Sequence, residues 1–257
     1  MADFLKCVFP KSPKIDRFIE IPHSINQKDN ISISNVITCD RCLLVGSPGS
    51  GKTSLLFQCA LSCSMEGSNV TLITPYKLKT MPLLIEGAKQ PDHNVMKRVH
   101  IMYLQDRTSL LRYLSSLHTK SPLSHVILIN KLDYYTNQEQ VTDRTAVTSE
   151  ICAYLLDAIC FLQSKLNALS MPTSTSIKCL LAASVSTLGS TDSPILDIYQ
   201  QFIPTVFHIS GFSNEKHVFE LTTAKGDEKR CLVLRYMIGK DSIKVCEDVS
   251  LSTLNTT

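Results

Sequence analysis

Gly46-Ser47-Pro48-Gly49-Ser50-Gly51-Lys52-Thr53 fills every position of the phosphate-binding loop pattern G-x-x-x-x-G-K-[ST]. Glycines let such a loop curl with its backbone N–H groups pointing inward, so phosphate oxygens approach without meeting a Cβ. Lys52 then reaches the β- and γ-phosphates, and the Thr53 hydroxyl ligates Mg²⁺. The flanks suit that role. Cys42-Leu43-Leu44-Val45 is an apolar run for a buried strand, and the stretch from Thr53 starts a helix whose amino terminus adds partial positive charge. A chance Gly-rich turn would lack both neighbours. The motif predicts a site for ATP and Mg²⁺ built from Gly46, Ser47, Pro48, Gly49, Ser50, Gly51, Lys52 and Thr53.

Downstream of the loop, apolar runs alternate with helical patterns, which argues for an α/β fold with a mostly parallel sheet flanked by helices. Strands are predicted near 42–46, 70–74, 99–103, 126–129 and 179–183, and helices near 53–65 and 106–117. Val147, Ile151, Tyr154, Leu155, Ala158, Ile159, Leu162 and Leu166 recur at helical spacing and predict one long amphipathic helix before Pro172. Short runs at 206–209, 218–222, 232–237 and 243–245 predict a C-terminal antiparallel meander. Residues 37–247 are thus read as one domain. Residues 1–36, with scattered prolines and lysines, read as an extension holding one short ordered element at most, and 248–257 as a frayed tail.

A chain of 257 residues, 44% hydrophobic and 19% charged, can bury one substantial core. A net charge of +3 neither requires nor excludes a nucleic-acid partner. No uncharged stretch approaches the length of a bilayer span, so no membrane partner is expected. Asp3 and Lys6 precede any long apolar run, which reads against a secretory signal and in favour of reduced thiols in the cytosol or nucleus for the ten cysteines. Cys39-Asp40-Arg41-Cys42 is a lone CxxC without a second ligand pair, and reads as packed thiols rather than zinc.

A phosphate loop usually works with an apolar strand ending in Asp, which holds the Mg²⁺ shell. The strand here, Val126-Ile127-Leu128-Ile129, ends in Asn130, which can accept a hydrogen bond but brings no charge. Thr53 and Asn130 are therefore the expected metal-site residues, with Asp133 a partial substitute only if the backbone turns back. Asn130-Lys131-Leu132-Asp133 also spells N-K-x-D, a guanine-reading pattern, and leaves a GTPase-like switch as a rival. No D-x-x-G lies between the loop and residue 130 to accompany it.

The loop together with Leu72-Ile73-Thr74, Leu78-Lys79-Thr80-Met81-Pro82, Ser109-Leu110-Leu111-Arg112-Tyr113-Leu114, Leu132-Asp133-Tyr134-Tyr135 and Tyr154-Leu155-Leu156-Asp157 resembles the divergent RecA-like recombinase paralogues of the animal Shu complex. The resemblance spans roughly residues 42–185. It implies a RecA-like ATPase core in the nucleus, paired with a SWIM-domain zinc-finger protein. It further implies binding of single-stranded DNA with the partner's help, and support of recombinase filaments in homologous recombination and meiosis. Against that family's pattern, the place of the catalytic Glu falls at Pro75-Tyr76, and the place of the γ-phosphate-sensing amide falls at Ser184. With Asn130 these departures imply slow or partner-dependent hydrolysis, or a non-hydrolysing scaffold.

Smaller features carry less. Phe57 and Ala60 match a recombinase F-x-x-A pattern but sit at core spacing on the helix after the loop. Lys77 and Lys79 follow the second strand, on an edge where α/β proteins place ligands, and read as solvated lysines without an aromatic platform. The segment at 186–193 takes the place of a recombinase DNA-binding loop yet holds no Lys or Arg. Cys152 and Cys160 read as core.

Overall fold

The computed structural model describes residues 2–10, 40–138, 143–169, 179–186, 193–212, 215–225 and 229–246. Cys39, residues 187–192, the tail at 248–257 and most of 1–36 lie outside them. Strand β1 (Asp40–Gly46) carries the phosphate loop and leads into α2 (Lys52–Met65). The chain continues through β2 (Val70–Thr74), β3 (Leu84–Ile85), α3 (His93–Lys97), β4 (Val99–Tyr103), α4 (Arg107–Ser115), β5 (Val126–Ile129), α5 (Leu132–Thr136) and α6 (Arg144–Leu169). It ends with β6 (Leu180–Ser186), α7 (Ser193–Phe202), β7 (Thr205–Gly211), β8 (Val218–Lys225), β9 (Lys229–Ile238) and β10 (Ser242–Cys246). A short helix at the amino terminus, α1 (Ala2–Val8), completes the set.

All ten strands join one sheet, in the order β3-β10-β9-β8-β7-β1-β6-β5-β2-β4. The block from β7 to β4 is parallel throughout. Its strands are apolar on both faces because helices cover both. Strand pleating sends Cys42 and Leu44 to one face and Leu43 and Val45 to the other. On the first face they meet α1 and α2, through Phe4, Leu5, Leu56 and Ala60. On the second they meet α4, α6 and α7, through Leu110, Ile151, Leu155, Ile159 and Tyr199.

Helix α6 is long and apolar enough to cross a membrane by length and composition alone. Its sequence includes Glu150, Asp157 and Lys165, and its Ile151-Leu155-Ile159-Leu162-Leu166 stripe is buried against the sheet. Core packing accounts for its apolar character.

The expected meander is present: β7, β8, β9 and β10 pair antiparallel in turn. Its first strand also runs parallel to β1 on its other edge. The cause is α7, which the sequence reading did not foresee. Pro194 suits its first turn, and Ile195 and Tyr199 pack on the sheet, so the chain crosses over before β7 starts. The short ordered element allowed in 1–36 is α1, and it packs into the domain rather than projecting from it. Phe4 is 1% exposed and stacks on Phe207 with ring centroids 5.9 Å apart. Replacing Phe4 with Ala should therefore cost about 3–5 kcal/mol in urea unfolding of the full chain. Arg112→Ala, on the exposed side of α4, should stay within about 0.5 kcal/mol.

Candidate nucleotide site

The loop leaves β1 at the carboxyl edge of the parallel block, where open α/β sheets bind ligands. Two glycines are fixed by contact. A Cβ on Gly46 would lie 2.9 Å from Ile209 Cβ on the neighbouring β7. Gly51 has φ 81°, and a Cβ there would press on Ile238 Cδ1 at 3.1 Å. Gly51 caps α2 without any side-chain hydrogen bond to the first turn. The early N–H groups of this 14-residue helix are thereby left for an anion.

Lys52 folds along the loop. Its Nζ donates to the carbonyls of Gly46 at 2.5 Å and Ser47 at 2.8 Å, with Ser50 Oγ at 3.4 Å. Burial lowers its pKa to about 8; the nearby Asp133 carboxylate opposes that shift and the Lys131 ammonium adds to it. Ser50 is buried, whereas Pro48 and Gly49 are exposed at the turn's crest.

The structure brings Thr53 and Asn130 together. Thr53 Oγ1 donates to Asn130 Oδ1 at 3.0 Å, which leaves the hydroxyl lone pairs available to a cation. Asn130 Oδ1 also accepts from Ser184 Oγ at 3.2 Å, and Asn130 Nδ2 donates to Thr74 Oγ1 at 3.4 Å. Ser184 Oγ in turn accepts from Lys131 N at 3.0 Å. One hydrogen-bonded chain thus joins the start of α2 to the carboxyl ends of β2, β5 and β6. These residues fit an Mg²⁺ bound through Thr53, with Asn130 as its neutral outer partner. Asn130 is thus held against the first turn of α2, at the end of the phosphate loop.

The backbone does turn back after Asn130. Lys131 takes a left-handed φ of 58°, α5 begins at Leu132, and Asp133 in its first turn comes close enough for its charge to reach Lys52. One Asp133 carboxylate oxygen is buried without a hydrogen-bond partner among the described residues. Tyr76 fills the place expected of a catalytic carboxylate. It is 53% exposed, meets the Tyr134 ring edge-on at 5.0 Å, and has Lys131 Nζ 5.4 Å from its centroid. Lys77 and Lys79 are exposed beside this aromatic pair. Phe57 and Ala60 are fully buried, as core spacing requires.

Sequence reasoning missed Tyr236. Its Oη donates to the Ser50 carbonyl at 2.6 Å, from β9, 186 residues away in the chain. The inward alternation of Leu234 and Tyr236 on β9 was readable, but nothing local ties that strand to the loop. Phe219 and Phe9 hold the Tyr236 ring, at 5.8 and 6.5 Å.

Two outcomes follow for measurement. Tyr236→Phe keeps the ring packing but leaves the Ser50 carbonyl unpaired; it should cost about 1 kcal/mol in stability and weaken nucleotide binding. Lys52 is expected to regain its proton against bound phosphate. Near pH 8, nucleotide binding should take up about half a proton, read by calorimetry in buffers of different ionisation enthalpy and absent in Lys52→Met. The sign for folding is set by the same shift. The unfolded chain holds more protons than the folded one between about pH 8 and the ordinary lysine value of 10.5. Stability without nucleotide should therefore rise with pH across that window in the native chain and not in Lys52→Met.

Comparison with known proteins agrees with this geometry. The family model for "ATPase family associated with various cellular activities (AAA)" matches residues 42–203. Among curated proteins the chain is similar to ATPase SWSAP1 of Mus musculus, 28% identical over 164 residues, covering 63% of this chain and 55% of that protein. ATPase SWSAP1 of Homo sapiens is 32% identical over 117 residues, covering 45% and 49%. The chain spans about half the length of the curated relatives it matches. Among solved structures, the RadB recombinase aligns with TM-score 0.53 at 12% identity, covering 80% of this chain and 91% of that one. The flagellar accessory protein FlaH from Methanocaldococcus jannaschii also aligns at TM-score 0.53 and 12% identity, covering 82% and 92%. These two likenesses concern the fold. With its phosphate loop, its mixed sheet and a family match over more than half its length, the chain belongs to the ATPase family associated with various cellular activities (AAA) and is similar to ATPase SWSAP1.

Proposed function

We propose that the chain binds ATP with Mg²⁺ and acts as a recombinase-paralogue subunit of a Shu-type complex with a SWIM-domain zinc-finger protein. In that reading the complex works in the nucleus, binds single-stranded DNA and stabilises recombinase filaments in homologous recombination repair and meiosis. The observation that carries nucleotide binding is the complete loop with Thr53 hydrogen-bonded to Asn130. The relatives named ATPase SWSAP1 support the recombinase-paralogue role.

Turnover is slow in this reading, or depends on the partner. Asn130 would bring no negative charge to a metal, Tyr76 stands where a base is expected, and Ser184, in the place of a sensing amide, is engaged with Asn130 and Lys131. Tyr76, Tyr134 and Lys131, with Lys77 and Lys79 beside them, supply stacking and charge to a single strand. A non-hydrolysing scaffold is the second reading, favoured by those same three departures. The GTPase-like switch has less support, because no D-x-x-G lies between the loop and residue 130.

Calorimetry of the full chain with ATP and GTP in Mg²⁺ tests the reading. ATP should bind in preference, and Lys52→Ala should weaken it about 100-fold, the equivalent of about 3 kcal/mol of lost charge-assisted hydrogen bonds. GTP preference, or binding indifferent to Lys52, would overturn it. In the presence of the zinc-finger partner, turnover abolished by Lys52→Ala separates an enzyme from a scaffold. A DNA titration against salt should show affinity falling linearly in log–log form, with a smaller slope once Lys77 and Lys79 are replaced by Ala.

A further inference from the structure

Away from the nucleotide, three cysteine sulfurs converge where α1 meets α2. Cys7, Cys59 and Cys63 place their Sγ atoms all within 4.8 Å of one another. Cys63 Sγ lies 3.3 Å from Cys7 Sγ and 4.0 Å from Cys59 Sγ. Cys59 and Cys63 stand four residues apart on one face of α2, and Cys7 comes from the last turn of α1. Neither the phosphate loop nor the aromatic pair of Tyr76 and Tyr134 uses them.

We propose that Cys7, Cys59 and Cys63 form a thiolate site for Zn²⁺, which clamps α1 to the helix that begins at the phosphate loop. The size is right. A Zn–S bond of about 2.3 Å puts sulfurs at the corners of a tetrahedron about 3.8 Å apart, and the triangle closes on such an ion with small side-chain movements. The three donors among the described residues are soft sulfurs, which selects against Mg²⁺ and Ca²⁺. Charge separates the remaining ions. Three thiolates around a divalent ion leave one net negative charge in this buried place, and around Cu⁺ they leave two; desolvation penalises the second more.

Cys7 and Cys63 lie in the carboxyl-terminal turns of their helices. Cys7 is half-buried and supplies the third sulfur from outside α2; a fourth ligand would be exogenous. Without metal, contact with Cys63 and Cys7 and then burial hold the Cys59 thiol well above its ordinary value. Metal binding therefore displaces protons and strengthens as pH rises.

The test uses the full chain, purified with reductant and supplied with Zn²⁺. Elemental analysis should find one equivalent of zinc that survives dialysis. Cys7→Ser and Cys63→Ser should lose it, while Cys160→Ser, on α6 and outside the cluster, should keep it. Co²⁺ in its place should give thiolate-to-metal charge-transfer absorption in the near ultraviolet. A variant-free readout guards against misfolding: Zn²⁺ should slow alkylation of the half-buried Cys7, read by mass spectrometry, and leave that of Cys160 unchanged. Only trace zinc in a chain with native circular dichroism would overturn the proposal. So would zinc retained in Cys7→Ser, or a Cys7–Cys63 disulfide that peroxide forms equally fast with and without Zn²⁺.

Discussion

The hydrogen bond from Tyr236 Oη to the Ser50 carbonyl ties the last antiparallel strands to a loop that has few side chains to hold itself. A phosphate loop must keep its N–H groups bare for the ligand, so its shape has to be enforced from outside. Here the enforcement comes from two sides. On one, β7 approaches so closely that only glycine fits at 46; on the other, Ile238 and Tyr236 of β9 close over Gly51 and Ser50. The C-terminal strands thus help to shape the loop through Tyr236 and Ile238. Preorganisation of this kind spares a ligand the entropic cost of ordering the loop on arrival.

The neutral Asn130 changes the electrostatics of the loop as well as those of the metal. A carboxylate in its place would sit against Thr53 and offset the burial of Lys52. With an amide there, only Asp133 opposes the desolvation, and Lys131 works against it. The amide also donates to Thr74, a bond that an ionised carboxylate cannot make. The network of Thr53, Asn130, Ser184 and Thr74 is therefore matched to an amide. A simple Asn130→Asp reversion would strengthen the charge at the metal while leaving the Thr74 hydroxyl facing a second acceptor. Ser184 donates to Asn130 Oδ1, a bond that an oxygen of either an amide or a carboxylate accepts, so only the bond to Thr74 is specific to the amide.

Local pattern carried much of the architecture. The strand at 126–129, the long helix through Ile159 and the loop itself were legible because each announces itself within a dozen residues, by an apolar run, a helical period or a motif. What was missed depends on distance in the chain. The parallel direction of β7 follows from α7, whose start adjoins a Ser- and Thr-rich stretch that reads as loop. The place of α1 follows from Phe4 meeting Phe207, a pairing no window of sequence contains. The turn that brings Asp133 back rests on the left-handed backbone of Lys131, a residue without the glycine or asparagine signature of such a conformation. Tyr236 and the sulfur triangle belong to the same class.

These distant contacts form a continuous structure. Phe9, just past α1, packs on Tyr236; Tyr236 stacks on Phe219 and holds Ser50; and α1 lies along α2 from Phe4 to Cys7, beside the helix whose first residue is Lys52. The amino-terminal helix therefore touches the nucleotide site by two routes, one through the C-terminal strands and one through α2. An element that docks by a few apolar side chains has a lower opening free energy than the central sheet, because it buries less and pairs no strand. Whatever fixes α1 in place, whether its own burial or a metal held between the helices, also steadies the loop. Coupling needs no further pathway than this shared packing, since α1 released from the core would leave Tyr236 exposed on one face and α2 uncovered along another.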